Sequence, residues 1–187
     1  VGNVVVDSSL LGRCDFYAFC AHKWLLSPRT LGVLVSNQKL RNAKATPLIQ
    51  NERALSEYQA SGPEGQYKGT IDIDQHIALS AMANEFAQIG MATIEKHNSS
   101  LASTFREYVA TLGTPVRVVC AGKGGICTVE FSSREDMRDT YNSLAGRRLG
   151  GPTRFSERNA LRFSFHYYHT TNDVFHLLEM MAARRKG

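Results

Sequence analysis

Asp15-Phe16-Tyr17-Ala18-Phe19-Cys20-Ala21-His22-Lys23-Trp24-Leu25-Leu26-Ser27-Pro28 is the stretch on which the reading of this chain turns. Phe16 to Ala21 are aromatic or small apolar residues, a run that predicts a buried strand, and Pro28 marks a loop beyond it. Lys23 therefore falls just past the carboxyl end of a strand, the edge at which open α/β sheets bind ligands. A lysine beside low-dielectric strands can also shed its proton, which is the condition for attacking a carbonyl carbon. Standing alone, a lysine after a strand is an ordinary solvated loop residue. The motifs that follow it decide between the two.

Outward from that stretch, the 187 residues suffice for one sizeable domain or two small ones, and 43% hydrophobic residues is normal for a globular chain. No apolar run approaches the roughly 18 residues of a membrane helix, and no signal-peptide pattern is present. The four cysteines, Cys14, Cys20, Cys120 and Cys127, lack Cys-x-x-Cys spacing, so a reducing, cytoplasmic setting is expected. The net charge of +5 raises nucleic acid as a partner, but the basic residues are dispersed. Their one dense run, Arg184-Arg185-Lys186, ends a helix where cations offset the macrodipole. The chain opens on Val1, apparently inside a strand, which suggests that an N-terminal part of a larger protein precedes it.

Val4-Val5-Val6 predicts a short buried parallel strand with Asp7 at its carboxyl end. Ser8 to Cys14 is shorter than the dozen or so residues that a crossover between parallel strands needs. Gly32 to Ser36 reads as the next strand, and the polar Thr46 to Tyr67 as a long loop, either at an active site or mobile. Gly69-Thr70 in Tyr67-Lys68-Gly69-Thr70-Ile71-Asp72 pairs a residue that lets the backbone approach a ligand with a hydroxyl that can donate to a phosphate, or else makes a plain turn. From Asp74 the pattern is helical, with Leu79, Met82, Phe86 and Ile89 on one face. His97-Asn98-Ser99 predicts a break and a cap before a second helix ending at Gly113.

Pro115 to Cys120 and Ile126 to Phe131 predict two strands of a hairpin across Ala121 to Gly125, whose glycines lack phosphate-loop spacing. Arg134 to Ala145 predicts a helix with Met137, Tyr141 and Leu144 inward, and Gly146 to Arg154 a basic loop. Leu161 to His166 alternates as a half-buried strand that turns Arg162, Ser164 and His166 the same way. Thr170 or Thr171 then caps a helix with Val174, Leu177, Leu178 and Met181 as its core stripe. His166 and His169 have no apparent third ligand, so no metal is expected.

Four of these motifs together, His-Lys-Trp-Leu with Pro28 to Gly32, Gly69-Thr70-Ile71-Asp72, Arg162-Phe163-Ser164 and the threonine turn before the last helix, resemble class V aminotransferases in family order. The likeness is strongest to the branch of isopenicillin N epimerase-like and hercynylcysteine sulfoxide lyase-like enzymes, and it is to their C-terminal half. It implies an α/β chain: a remnant of the large domain of a PLP-dependent (pyridoxal 5'-phosphate) transferase of fold type I, followed by an α+β small domain. The implied division is 1–73 for the remnant with its loops, 74–113 for connecting helices and 114–187 for the small domain. It further implies an internal aldimine between the cofactor and Lys23, which would act as nucleophile and then as general base. Asp7 would pair with the pyridine nitrogen, Cys20, His22 and Gly69 would flank the cofactor, and Thr70 would reach its phosphate from a second subunit. Arg162 would bind the α-carboxylate of an amino-acid substrate, for which a planar guanidinium is suited.

The resemblance thus implies a cytoplasmic homodimer with a shared site, no nucleic-acid or membrane partner, and carbon–sulfur lyase, epimerase or transaminase chemistry. Cysteine desulfurases carry a nucleophilic cysteine in the small-domain loop ahead of the carboxylate-binding arginine. No cysteine follows Cys127 here, which disfavours that reaction. The alternative to an enzyme is an inactive truncated relative that serves association only. As an isolated chain the protein is expected to dimerise or aggregate, to bind PLP weakly if at all, and to turn over no amino acid.

Overall fold

The computed structural model describes residues 2–6, 9, 12–29, 31–36, 73–111, 116–119, 124–145, 153–155 and 158–183. Val1 with Val6–Gln88 forms one compact unit, and Gly2–Val5 with Ile89–Gly187 a second. In the first unit, β1 (Phe16–Cys20) pairs antiparallel with β2 (Gly32–Ser36), from Phe16 opposite Ser36 to Cys20 opposite Gly32. Helix α1 (Ile73–Ile89) buries Phe86 and half-buries Leu79 and Met82, the face its periodicity predicts. The prediction of a fully buried strand does not hold for β1. Phe16, Ala18 and Cys20 alternate outward, with Phe16 54% exposed, because among the described residues its hydrogen-bonded neighbour is β2 alone.

The second unit is a four-stranded antiparallel sheet covered on one face by helices. Its strands are β3 (Val116–Val118), β4 (Ile126–Phe131), β5 (Thr153–Phe155) and β6 (Ala160–Ser164), in the spatial order β3-β4-β6-β5. Cys127, Val129 and Phe131 of β4 and Leu161 and Phe163 of β6 point inward. They meet Leu101, Phe105 and Val109 of α2 (Met91–Thr111), Met137 and Leu144 of α3 (Arg134–Ala145), and Val174 and Leu178 of α4 (Thr171–Ala183). The Phe105 ring packs against Phe163 and Phe165 at centroid separations of 4.8 and 5.2 Å. A buried phenylalanine in such a position contributes roughly 1.5 to 3 kcal/mol.

Several expectations give way here. The helix break falls at Gly90, whose φ of 86° only glycine adopts cheaply, and α2 runs through His97-Asn98-Ser99. The Ser99 hydroxyl is spent on a tertiary contact, accepting the Gly124 N–H at 3.1 Å, while Asn98 is fully buried with its side-chain amide unpaired among the described residues. Val4 to Val6 is not a strand. The Gly125 N–H donates to Asn3 Oδ1 (2.7 Å) and the Val5 N–H to Glu95 Oε2 (2.9 Å), so the segment spends its polar groups on the second unit. Thr153 and Arg154, expected in a loop, belong to β5.

His166 also departs from prediction. Strand β6 ends at Ser164, and Phe165 and His166 are both buried, as the Phe165 N–H donates to the Gly125 carbonyl at 2.7 Å. A tight turn follows in which His169 Nδ1 accepts the His166 N–H (2.8 Å) and His166 Nδ1 accepts the Tyr167 N–H (2.9 Å). Both ring nitrogens therefore serve the turn, as does His97, whose Nε2 meets the His169 carbonyl at 2.9 Å.

Helix α4 is capped by Thr170. Its hydroxyl accepts the Asp173 N–H at 3.3 Å, while Asp173 Oδ2 accepts the Thr170 N–H (2.7 Å) and hydroxyl (2.8 Å). Those bonds from Thr170 hold the Asp173 carboxyl below its ordinary value of 3.8. Because the folded-state value is the lower one, this stabilisation is complete above about pH 4 and drains away as the pH falls through the lowered value. Thr170→Ala should cost about 1 kcal/mol. Chemical denaturation of both proteins at neutral and at low pH should show the gap narrowing in acid; a pH-independent gap would contradict the cap.

Candidate functional site

The lysine stretch is fixed by short-range geometry. After Cys20 the chain leaves β1 in a turn over residues 21–25, and the Ala21 N–H donates to the Leu31 carbonyl (3.0 Å), which ties the turn to the start of β2. The Leu26 N–H returns to the Lys23 carbonyl and the Ser27 N–H to the Ala21 carbonyl, both at 3.3 Å. Ala21, Leu25 and Ser27 are buried beneath the turn. Alternation of aromatic and small residues ends at Ala21, and the buried apolar Ala21 and Leu25 anchor the turn from below.

On that anchored turn His22 is half-buried and Lys23 exposed. The expected desolvation of Lys23 is therefore not provided by the described residues; the amine faces outward. The Nδ1 atom of His22 is buried without a hydrogen-bond partner among the described residues. A buried ring nitrogen left unpaired costs about 1 to 3 kcal/mol, so it suits a site whose occupant completes the bond. Cys20, the last residue of β1, is exposed beside them. The three predicted residues Cys20, His22 and Lys23 thus lie on one strand end and one turn. That set, an accessible primary amine beside an imidazole with an unmet nitrogen, fits a carbonyl-bearing cofactor held covalently.

Arg162 lies in the second unit, at the middle of β6, opposite Thr128 of β4 and Thr153 of β5. Its neighbours Leu161 and Phe163 point into the core, so Arg162, half-buried, lies on the face of the sheet away from the helices. That face also carries Thr128 and the pair Arg117–Glu130, in which Nε and Nη2 of the arginine donate to Glu130 Oε2 at 3.1 and 2.8 Å. Exposed pairs of this kind contribute roughly 0 to 1 kcal/mol. Asp7, Gly69 and Thr70 lie outside the described residues. What sequence reasoning missed is the strained Leu26 beside the lysine, for which the sequence carries no signal.

A family model described as "Aminotransferase class-V" matches residues 1–177. A curated relative, a probable cysteine desulfurase of Pyrococcus abyssi, is 31% identical over 120 residues, 62% of this chain and 30% of the relative. Among solved structures, the apo cysteine desulfurase of Thermococcus onnurineus superposes with a TM-score of 0.78 at 22% identity, over 100% of this chain and 50% of that one. The cystine C-S lyase C-DES, solved with its product cysteine persulfide, superposes with a TM-score of 0.75 at 19% identity, over 97% of this chain and 49% of that one. The chain thus spans about half the length of the structures it resembles, and under a third of the curated relative. At these identities the structural likeness establishes the fold, the mixed α/β architecture of PLP-dependent fold type I proteins.

Proposed function

Because the chain belongs to the aminotransferase class-V family, we propose that it is a PLP-dependent enzyme, or the C-terminal part of one, acting at the α-carbon of an amino acid. The observation that carries this reading is the anchored turn that presents an exposed Lys23 amine beside the unpartnered His22 Nδ1. Within the reactions open to the family, carbon–sulfur bond cleavage is favoured over epimerisation and transamination. The curated relative, 31% identical, is named a probable cysteine desulfurase, and lyases of the sulfoxide type stand in the branch that the His-Lys-Trp-Leu motif resembles. No cysteine follows Cys127, so the sulfur leaves on the substrate's own leaving group rather than on a cysteine ahead of Arg162.

PLP, when bound, draws electrons away from the substrate α-carbon. The chain's own residues do the rest. Lys23 holds the cofactor and then takes or returns the α-proton at its amine, a task for which an unburied side chain has the reach. With the cofactor held there, His22 Nδ1 would gain the hydrogen bond it lacks, and Cys20 at the end of β1 would flank the cofactor. Asp7 carries a carboxylate for the ring nitrogen, and Gly69 and Thr70 supply close backbone approach and a hydroxyl for the phosphate, the latter from a second copy. Arg162 pairs with the substrate carboxylate. A cytoplasmic homodimer that uses neither nucleic acid nor membrane is part of the same reading; among the described residues no helix is long and apolar enough to cross a membrane.

The test is to titrate the purified chain with PLP, follow visible absorbance, reduce with borohydride and map the pyridoxyl group. Attachment at Lys23 supports the reading; attachment at Lys39 or Lys123 instead sinks it. Release of sulfide from cysteine, or of cysteine persulfide from cystine, then separates a carbon–sulfur lyase from the other two chemistries. A second reading, a non-catalytic association domain, draws on the apolar exposed face of β1; it would give no absorbance change.

Arg162→Ala should leave cofactor absorbance nearly intact and weaken amino-acid binding by roughly 1.5 to 3 kcal/mol, the scale of a charge-assisted hydrogen bond. Arg162→Lys should rescue little, since an ammonium lacks the planar fork. Equal binding of an amino acid and its amide by the native protein would remove the ground for this role.

A further inference from the structure

The turn that carries Lys23 is closed by a residue ill-suited to its backbone. Leu26 has φ 53°, in the left-handed region where an L side chain crowds its own carbonyl and where glycine usually ends a helical turn. The other non-glycine residue there among those described is Asn159 at 48°, whose short polar side chain tolerates the conformation. Leucine has no such compensation. Its conformation is imposed from outside, by the Leu26–Lys23, Ser27–Ala21 and Ala21–Leu31 backbone bonds and by burial of Leu25 and Ser27 on either side. Strain that the surroundings over-determine in this way concentrates at functional sites.

We propose that Leu26 is a positioning residue for Lys23: its left-handed backbone closes the Lys23–Leu26 turn and fixes the chain from which the amine projects. This rests on the reading of Lys23 as the cofactor lysine, whereas the turn itself does not. A conformational role and a packing role order the variants oppositely. Asparagine and glycine accept the left-handed region but remove the apolar side chain. Valine keeps an apolar side chain but is β-branched and resists that region.

The experiment uses the full chain as native, Leu26→Gly, Leu26→Asn and Leu26→Val, with PLP and borohydride labelling quantified at Lys23 and, without PLP, amide hydrogen exchange at Leu26 and Ser27. The expected result is labelling within about twofold of native for Asn and Gly and a loss of roughly tenfold for Val, with similarly faster exchange at the two amides in Val alone. Exchange at Val129 and Leu161 reports that the core persists. The reverse order, or equal labelling in all three, overturns the proposal. Loss of labelling in Leu26→Asn overturns it by itself, even if Leu26→Val does not fold. Should the native chain take no label at Lys23, the cofactor reading falls, and the turn is judged on exchange: unchanged protection in Leu26→Val refutes it.

Discussion

Lys23→Ala is expected to abolish the visible absorbance that PLP gives with the native chain, with borohydride-stable label falling to background. The reasons are local. Lys23 is exposed on a turn pinned at Ala21, Leu26 and Ser27, so its amine is available while its backbone is held. The other lysine on a described element, Lys96, projects from the exposed side of α2 in the second unit. Lys23→Arg should fail as completely as Lys23→Ala, because a guanidinium keeps the charge but is no nucleophile at neutral pH. That distinguishes covalent attachment from simple attraction of a phosphate, which arginine would preserve. Substitution of an exposed residue should change stability by no more than about 0.5 kcal/mol, so unfolding does not confound the result. Absorbance retained in Lys23→Ala would end the assignment.

Gly125→Ala should destabilise the fold far more than Thr170→Ala or Lys23→Ala. A Cβ at Gly125 would run into the carbonyl oxygen of Phe165 and lie 3.1 Å from Asn98 Cβ. The first obstacle is backbone, and it is held: the Phe165 N–H donates to the Gly125 carbonyl, and the Gly125 N–H to Asn3. Relief requires breaking the start of the β4–β6 pairing or moving α2, so a cost of about 3 kcal/mol or more is expected. For a chain of this size that lowers Tm by roughly 6 to 12 °C. Gly124→Ala meets mostly side-chain atoms of Asn3 and Val4, which can give way, but its φ of 97° still penalises any side chain. Thermal unfolding of both variants checks the order, and a Gly125→Ala protein melting within a degree or two of native would contradict it.

Most of the second unit was legible because its signals are local and redundant. Alternation marked β4 and β6, the spacing of Met137, Tyr141 and Leu144 marked α3, and Val174 with Leu178 marked α4. Two of the misreadings share one cause: residues that look like local signals are used over long distances. His97-Asn98-Ser99 resembles a helix end, yet Asn98 is sunk beside Gly125 and Ser99 meets Gly124, so the helix passes through. Val4 to Val6 has the composition of a strand, but Asn3 and Val5 find partners in the second unit instead of a ladder. At the candidate site, the strand end and the turn that carry His22 and Lys23 were legible from the apolar run and Pro28. The left-handed Leu26 was not, since tertiary bonds impose a conformation that leucine's own preferences oppose.

The Asn3–Gly125 bond has a consequence for the order in which the molecule assembles. Its partners stand 122 positions apart, and the Val5–Glu95 bond spans 90. Closing a loop of the first size costs roughly 4 kcal/mol of chain entropy beyond a constant. Contacts of such high sequence separation slow folding and tend to form late. On the ribosome, residues 2–5 emerge well before Gly125 and have nothing to dock on until it has been made. The segment directly ahead of Asp7 should therefore be the last part of the second unit to lock and the first to loosen. Pulse-labelling during refolding should find the Val5 and Gly125 amides protected after those of Val129 and Leu161.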